Sequence, residues 1–470
     1  MKATGTFPAR AEGALKDAQL QEALARATTR FMGLRKTAFT DLPDGEALRD
    51  RAAAAKAEVT RHLDRYLDRF VTAARAAGCT LHAAADAAEA RQIILEIART
   101  RRVRRIVKSK SMATEEIHLN PALEAAGMTV TETDLGEWII QLAKETPSHI
   151  IAPAIHKTRG QVADLFAAAS GGPVPESIEG MVGLARSLLR EAFLTADMGI
   201  SGVNMAVAET GSIAIVTNEG NGRLVTSLPR IHVAVMGIEK LVPTLEDFIT
   251  ILKVLPRSAT GQKVSCYVSV LTGPARPGEE DGPEELHLVL LDNGRGGALG
   301  TAFEESLSCL RCGACLNVCP VYRQIGGHAY GSVYGGPIGI AITPMLTPGP
   351  EAHAIAAGST LCGACQDVCP VRIDIPRMIL HRRAEAVEHR AAPAGERLAF
   401  RILALILRHP TLYRLTAAAG RFLQRPFLRD GRIPRLPGPL AAWTASRDFP
   451  SLASRPFQAR WRRGEVAKSK

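Results

Sequence analysis

Seven of the nine cysteines in this 470-residue chain fall into two short runs, each ending in a Cys-Pro pair. The first run is Cys309-Leu-Arg-Cys312-Gly-Ala-Cys315-Leu-Asn-Val-Cys319-Pro320. The second run is Cys362-Gly-Ala-Cys365-Gln-Asp-Val-Cys369-Pro370. Loops with this spacing wrap several thiolates around one cubane iron–sulfur cluster. The two runs therefore predict two iron–sulfur clusters, both expected to be [4Fe–4S]. Zinc is the alternative, because C-x2-C pairs also bind it, but two runs that both end in Cys-Pro disfavour zinc.

The order of the cysteines predicts which cluster each one ligates. The fourth cysteine of such a run points away from its own loop and serves the other cluster of a pair. The ligands expected for cluster 1 are Cys309, Cys312, Cys315 and Cys369. The ligands expected for cluster 2 are Cys319, Cys362 and Cys365. This assignment requires the two runs to lie close together.

The second run lacks its first cysteine, and Ser359 stands in that place. Cluster 2 is then a [3Fe–4S] cluster, a [4Fe–4S] cluster with Ser359, water or another oxygen on one iron, or a cluster completed by a partner protein. A further alternative is that Ser359 only caps a helix or a turn. The sequence leaves these alternatives open.

Four segments differ in composition and pattern. Residues 1–75 have apolar residues at helical spacing, with charged residues on what we expect to be a solvated face. Residues 76–295 alternate strands and helices, which predicts an α/β domain with a largely parallel sheet. Residues 298–390 hold both cysteine runs, and the long, glycine-centred gap between the runs favours an all-α two-cluster ferredoxin domain. Residues 393–470 form a basic, proline-rich segment with no visible chemistry. We expect the α/β domain and the cluster domain to have separate cores.

Several elements of the α/β domain have specific expected bounds. We expect strands at Arg105–Lys108, Ser148–Ala152, Ser212–Thr217 and Val264–Val268, and a long helix at Ile178–Thr195. Parallel strands direct their carboxyl ends toward a common ligand crevice. Lys108 and Lys110 follow one strand end and Arg223 follows another, so these cations are candidates for binding a carboxylate or a phosphate. The alternative is that these segments are surface loops rich in turn-forming Ser, Asn and Gly.

Composition limits the compartment and the partners. Only Cys79 and Cys266 lie outside the runs, so the cysteines indicate a reducing compartment rather than a disulfide framework. The N-terminus lacks an apolar signal segment, and Phe400–Leu407 is too short to span a membrane. We therefore expect a cytoplasmic protein with at most peripheral membrane contact. The net charge of +11 does not identify a partner, and no interleaving of basic and aromatic residues indicates nucleic-acid binding. No glycine-rich dinucleotide motif follows a strand, so a flavin or nicotinamide is expected on a partner.

Several motifs together resemble the lactate utilization protein B family, the iron–sulfur subunit of a bacterial L-lactate oxidation system. Besides both cysteine runs, the matching stretches are Lys108–Met112 with Thr114–Glu116, Glu132–Glu137, Pro147–His156, Ala208–Gly211, Thr217–Asn221 and Ile325–Tyr330. They span residues 30–460, nearly the whole chain.

The resemblance implies an α/β domain of the LUD type, related to the sheet of ribose-phosphate isomerases and CoA transferases. It also implies an electron-transfer role in the oxidation of L-lactate to pyruvate, with other subunits and an electron acceptor as partners, rather than a stand-alone catalyst. Related transferase folds use a glutamate nucleophile, so Glu209 is a candidate; a capping carboxylate is the alternative. The competing functions are an iron–sulfur subunit for another hydroxy-acid oxidase, or a lyase that uses an open iron as a Lewis acid.

Overall fold

The computed structural model describes residues 5–389 and 394–465. The chain forms two compact units, Met1–Ala391 and Ala392–Lys470. Within the described residues, no helix is both long enough and apolar enough to span a membrane.

The first unit begins with helices and continues into alternating strands and helices. Its helices are α1 (Phe7–Leu15), α2 (Ala18–Thr40), α3 (Gly45–Arg61), α4 (Leu63–Ala76), α5 (Ala87–Thr100), α6 (Met112–Glu116), α7 (Leu119–Ala125), α8 (Leu135–Leu142), α9 (Arg159–Ser170), α10 (Ile178–Leu194), α11 (Asn221–Ser227), α12 (Leu245–Ala259), α13 (Ala314–Val318), α14 (Tyr322–Ile325), α15 (Gly336–Leu346), α16 (Pro350–Ala354), α17 (Ala364–Asp367) and α18 (Ile375–Glu388). Its strands are β1 (Thr80–Ala84), β2 (Arg105–Lys108), β3 (Thr129–Glu132), β4 (Met198–Gly202), β5 (Met205–Val207), β6 (Ser212–Thr217), β7 (Ile231–Gly237), β8 (Leu241–Val242), β9 (Tyr267–Leu271) and β10 (Glu285–Leu291).

The main sheet has six parallel strands in the order β1-β10-β7-β4-β2-β3. Its central strand β7 is buried along its whole length, as expected for a parallel sheet covered on both faces. Alternate residues of β7 point to opposite cores. Val233 and Val235 pack with Ile94 of α5, whereas Ala234 and Met236 pack with Phe70 of α4. This arrangement confirms the predicted α/β class with a largely parallel sheet.

A second sheet, which the sequence pattern did not predict, has four strands in the order β8-β5-β6-β9. It is mixed: β5 and β6 are antiparallel, and β5 and β8 are parallel. β9 begins at Tyr267, three residues later than expected, and pairs antiparallel with β6. Ser265, in the expected strand, instead donates its hydroxyl to the carbonyl of Thr217 at 2.8 Å.

The segment Ser148–Ala152 is not a strand, contrary to expectation. Its backbone is satisfied without a neighbouring strand, because the amides of Ile151 and Ala152 donate to Nδ1 of His149 at 3.1 and 3.3 Å. The carbonyl of Ser148 accepts the hydroxyl of Tyr322 at 2.7 Å. Long-range side-chain contacts therefore replace the predicted strand pairing.

The expectation of separate cores is wrong. One apolar core contains Leu48 of α3, Ile150, Phe248 of α12 and residues of the cysteine-bearing segment such as Leu316 and Tyr322. The N-terminal helices close this core. The amide of Phe7 donates to Glu351 at 3.2 Å, and Arg10 donates to the carbonyl of Ala329 at 3.0 Å. The cysteine-bearing segment therefore folds as part of the first unit.

The second unit contains α19 (Ala394–Arg408), α20 (Pro410–Leu423), β11 (Arg432–Ile433), β12 (Phe449–Pro450) and α21 (Phe457–Arg462). β11 and β12 form an antiparallel pair. Among its described residues, α19, α20 and α21 contain no buried residue, and aromatic side chains such as Phe400 and Trp443 are exposed.

Candidate iron–sulfur site

The structure brings the first three cysteines of the first run together with the last cysteine of the second run. All four, Cys309, Cys312, Cys315 and Cys369, line one small cavity. The other lining side chains include Ile150, Ile338 and Ile373, so the wall around the sulfurs is mainly apolar. This is the arrangement that the crossing rule predicts for cluster 1.

The first loop adopts a conformation that turns its thiols inward. Arg311 has a φ of 58° and Gly313 a φ of 74°, so two residues between Cys309 and Ala314 adopt the left-handed backbone conformation. The amide of Arg311 donates to Sγ of Cys309 at 3.4 Å. On the other side, the amide of Ile373 donates to Sγ of Cys369 at 3.4 Å. Such N–H···S bonds stabilise the charge of cluster sulfurs.

The remaining three cysteines are also neighbours. The thiols of Cys319 and Cys362 both contribute to the electrostatic environment of Cys365, whose pKa burial raises to about 12. The amide of Tyr322 donates to Sγ of Cys319 at 3.5 Å. Cys319 and Cys365 are buried, whereas Cys362 is exposed. The expected cluster 2 ligands therefore lie at the edge of the segment, with one side open to solvent.

Ser359 repeats the local geometry of Cys309. The amide of Leu361 donates to Oγ of Ser359 at 3.2 Å, as the amide of Arg311 does to Cys309. Leu361 has a φ of 55°, and Gly363 has a φ of 85°, so the same two positions after Ser359 are left-handed. Ser359 therefore caps a turn, and this turn has the same conformation as the one that directs Cys309 into its cavity. Its hydroxyl thus stands where a first cysteine would stand.

The donor set fits iron–sulfur chemistry. Burial raises the pKa of Cys312 to about 12 and that of Cys369 to about 11, so these thiols are protonated when they are free. Binding to a metal centre deprotonates them, and soft thiolates in an apolar shell are the ligands that such clusters use.

Three cations surround Cys309, and the sequence pattern did not identify any of them as part of the site. The thiol of Cys309 acts on the pKa values of Lys56, Lys240 and Arg311. Burial lowers the pKa of Lys56 to about 7 and that of Lys240 to about 8. Arg311 lies over the ring of Tyr334 at 4.7 Å and is 3.7 Å from Glu239.

Two arginines from the N-terminal helices hold the second cysteine run. Arg49 of α3 donates to the carbonyls of Asp367 at 2.6 Å and Cys369 at 2.9 Å. Arg35 of α2 donates to the carbonyl of Val368 at 3.1 Å. Arg49 is adjacent to Leu48 and precedes Ala52, two core residues of α3. In the sequence, the position of Arg49 beside the apolar stripe of α3 was the signal that could have indicated a buried role for this arginine.

His149 connects the α/β region to the first cysteine loop. Its Nε2 lies 3.2 Å from Oδ1 of Asn317 on α13. A Cβ atom on Gly313 would come within 3.1 Å of Cε1 of His149. Burial lowers the pKa of His149 to about 3, so its ring is neutral. The Ser148–Ala152 segment therefore covers the loop that carries Cys312 and Cys315.

The three candidate anion-binding cations differ in their contacts. Lys108 is fully engaged: its Nζ lies 2.7 Å from Glu132 and 3.2 Å from Glu115, and it donates to Thr114 at 2.9 Å. Arg223 is exposed and lies over the ring of Tyr267. Lys110 is half-buried. Of the three, Lys110 alone has neither an ion pair nor a stacking contact within the described ranges.

Glu209 accepts a hydrogen bond from the amide of Leu245 at 3.1 Å, at the first residue of α12. The residue is exposed. This contact agrees with the capping alternative, although the carboxylate is on the surface.

Comparison with known proteins covers nearly the whole chain. Residues 67–291 match the LUD domain, residues 305–373 match a 4Fe-4S dicluster domain, and residues 382–466 match the C-terminal domain of lactate utilisation protein B. The 4Fe-4S dicluster match favours iron–sulfur clusters over zinc.

Curated relatives named lactate utilization protein B are similar over almost their full length. The protein of Shouchella clausii is 44% identical over 96% of this chain and 95% of its own. That of Bacillus licheniformis is 43% identical over 95% of this chain and 94% of its own. A crystal structure of a DUF162 family protein from Deinococcus radiodurans covers 49% of this chain and 98% of its own, at 16% identity and a TM-score of 0.26. That likeness is too low to support an argument. By its sequence over nearly its full length, this chain belongs to the lactate utilization protein B family.

Proposed function

We propose that this chain is the iron–sulfur electron-transfer subunit of a system that oxidises L-lactate to pyruvate. The observation that supports the proposal is the cavity lined by four cysteines from two distant runs, together with the electrostatic influence of Cys319 and Cys362 on Cys365. Bound clusters supply one-electron redox chemistry. The names of the relatives supply the substrate, because each is a lactate utilization protein.

In this proposal, each set of residues has a defined task. Cys309, Cys312, Cys315 and Cys369 hold cluster 1, and Cys319, Cys362 and Cys365 hold cluster 2. Ser359 supplies the fourth ligand position of cluster 2, because its loop has the conformation of the Cys309 loop. The exposure of Cys362 makes the cluster 2 edge the natural contact for a redox partner.

The lyase alternative requires an iron that is open to substrate. A hydroxyl in the position of the missing cysteine weighs against an open iron at cluster 2. We therefore favour electron transfer, with the remaining subunits of the system and an electron acceptor as partners in the cytoplasm.

The test is a redox experiment on the full-length chain purified without oxygen. Iron and acid-labile sulfide should correspond to two clusters per chain, and both clusters should show reversible couples by electron paramagnetic resonance. L-lactate should reduce them only when the partner subunits are present. Conversion of a hydroxy acid by this chain without any electron acceptor would refute the proposal and establish the lyase alternative.

A further inference from the structure

Polar side chains without partners are concentrated at the carboxyl ends of β2 and β3. Oε2 of Glu132 and Oε1 of Glu137 are buried, and neither has a hydrogen-bond partner in the described part of the chain. The same holds for Oγ of Ser109 and Oδ1 of Asn221. Leaving a buried polar atom unpaired costs about 1–3 kcal/mol, and more for a charged group. So many unpaired atoms at one sheet edge indicate that something else completes them.

One side of this cluster is closed by the protein itself. Glu132 is the last residue of β3, opposite Lys108 in the register of the sheet. Its Oε1 contacts Nζ of Lys108 and accepts from Asn120, both at 2.7 Å. Lys108 also binds Glu115 and Thr114, so its ammonium has no free donor. Within the described part of the chain, the second oxygen of Glu132 has no partner and is available to a ligand.

Glu137 is a buried carboxyl group within this cluster of unpaired polar side chains. It lies in the first turn of α8 and is 4% exposed. Burial raises its pKa to about 8, so the side chain is a neutral carboxylic acid at neutral pH. In that form it both donates and accepts a hydrogen bond.

Lys110 faces Glu137 from the loop after β2. Its positive charge is the main opposing effect on the pKa of Glu137, and it also lowers the pKa of His149. No ion pair within 4.0 Å joins Lys110 to Glu137 among the described residues. A half-buried ammonium thus lies near enough to a buried carboxyl group to act on its pKa, but the two groups form no ion pair within the described residues.

We propose that Lys110 and Glu137, together with the free oxygen of Glu132, bind a small 2-hydroxycarboxylate on this chain. The carboxylate of the ligand pairs with Lys110, and its hydroxyl pairs with Glu137 and Glu132. This inference rests on the proposed function and deepens it, because it places the substrate class on this subunit.

The charge balance of the site selects this ligand class. Among the described residues at this end of the sheet, Lys110 has neither an ion pair nor a stacking contact, so it matches a single negative charge. Glu115, Glu132, Asp134 and Glu219 lie around the same edge and would repel a doubly charged phosphate. A neutral diol lacks the anionic end that Lys110 requires. A ligand with one carboxylate and one adjacent hydroxyl satisfies both ends.

The position of the site relates it to cluster 1. Lys110 acts on His149, and His149 packs against Gly313 in the loop between Cys312 and Cys315. The proposed ligand therefore lies on the side of the sheet that faces the first cysteine loop.

The test is isothermal titration calorimetry of L-lactate into the anaerobic full-length protein with its clusters. Lys110→Gln should weaken binding about tenfold or more, because a charge-assisted contact is lost. Lys144→Gln is the matched control: Lys144 follows α8, is exposed, and its replacement changes the net charge equally. It should bind as the wild type does.

Glu137 is tested by two variants. Glu137→Gln keeps a neutral hydrogen-bonding group and should bind L-lactate within about threefold of wild type, whereas Glu137→Leu should lose about tenfold. Acetate and 1,2-propanediol, each lacking one end of the ligand, should bind at least about tenfold more weakly than L-lactate.

Equal binding by the Lys110→Gln and Lys144→Gln variants would overturn the site, as would wild-type protein that binds no lactate or binds acetate as tightly. Those results would mean that buried water completes the unpaired atoms. The two proposals fail separately. Reduction of the clusters by lactate and partner subunits without binding to this chain would leave the electron-transfer function standing, and binding without reduction would leave only the site.

Discussion

A serine and a cysteine occupy corresponding places in two successive loops of this chain. Ser359 and Cys309 each accept the amide two residues ahead, and a left-handed residue follows each of them. The difference is one atom, oxygen for sulfur. An oxygen ligand holds iron less firmly in a cluster built for thiolates and changes its potential.

Ser359→Cys should therefore make cluster 2 more resistant to air. In the wild type, oxidation should produce a [3Fe–4S] paramagnetic signal from cluster 2 before cluster 1 is lost. The cysteine variant should suppress that signal because it supplies the fourth thiolate, and Ser359→Ala should accelerate the loss of iron. Electron paramagnetic resonance after matched exposure to air measures all three. A cysteine variant as labile as wild type would show that this position does not face the cluster.

Glu137 gives the chain a specific dependence of stability on pH. Burial raises the pKa of this carboxyl to about 8, above its unfolded value, so ionisation favours the unfolded chain. Its contribution to the free energy of unfolding is complete below about pH 4.5 and is lost as the pH rises toward about 8.

Glu137→Gln should remove that loss. Thermal unfolding of the anaerobic protein at about pH 5 and about pH 8 should show a smaller decrease for the variant than for the wild type. Glu96→Gln, at an exposed position on α5, is the control and should behave as the wild type. The hypothesis fails if Glu137→Gln and Glu96→Gln have the same pH profile.

At the scale of elements, the first cysteine loop is surrounded by cations from parts of the chain that are far apart in sequence. Lys56 comes from α3, Lys240 from the turn after β7, and Arg311 from the loop itself. Lys56 donates to the carbonyl of Leu241 at 3.0 Å, so α3 fixes the turn that carries Lys240. Positive charge near a cluster stabilises its reduced, more negative state.

Lys240→Gln should therefore lower the potential of cluster 1, by tens of millivolts as an order of magnitude. Cluster 2 should change much less. Lys253→Gln, which removes an equal charge from the exposed face of α12, should change neither potential. A redox titration followed by electron paramagnetic resonance separates these results. An unchanged cluster 1 potential in the Lys240 variant would exclude an electrostatic role for this residue.

Sequence patterns predicted short strands and the grouping of cysteines well, but they did not predict the other long-range contacts. β2 and β6 have the predicted bounds, because a few alternating or apolar residues between turns define a short strand. The grouping of Cys369 with Cys309, Cys312 and Cys315 followed from ligand spacing alone. Ser148–Ala152 was misassigned because His149 reaches Asn317, 168 residues away, and no local pattern records such a contact. Lys108 was predicted as an anion-binding candidate, but Glu132 on the neighbouring strand already neutralises it.

At the scale of the whole molecule, the cysteine-bearing segment shares its core with the α/β region. Cys312 and Cys315 belong to the same apolar core as Met205 of β5 and Val254 of α12. Loss of a cluster should therefore lower stability well beyond the cysteine loops. Ligands that bind only the folded state stabilise all the structure that unfolds cooperatively with it.

Cys312→Ser should lower the melting temperature of the first unit, on the order of 5 °C or more. Hydrogen exchange should increase in β5 and α12 as well as in residues 298–389. Cys266→Ser, at an exposed cysteine outside both runs, should leave melting and exchange unchanged. Exchange that increases only within residues 298–389 would show that the two regions unfold independently despite their common core.

The contacts of the N-terminal helices have a consequence for the synthesis of this protein. Phe7 bonds Glu351, 344 residues later, and Arg49 bonds Cys369, 320 residues later. A ribosome adds about 5–20 residues per second, so α1 to α3 wait on the order of 20–70 s for these partners. Until then, the parts of these helices that pack against the cysteine-bearing segment stay exposed to solvent. Because Cys369 is a proposed ligand of cluster 1, we expect this cluster to be completed only after residue 369 has been synthesised, and α1 to α3 to close over the cysteines after that point.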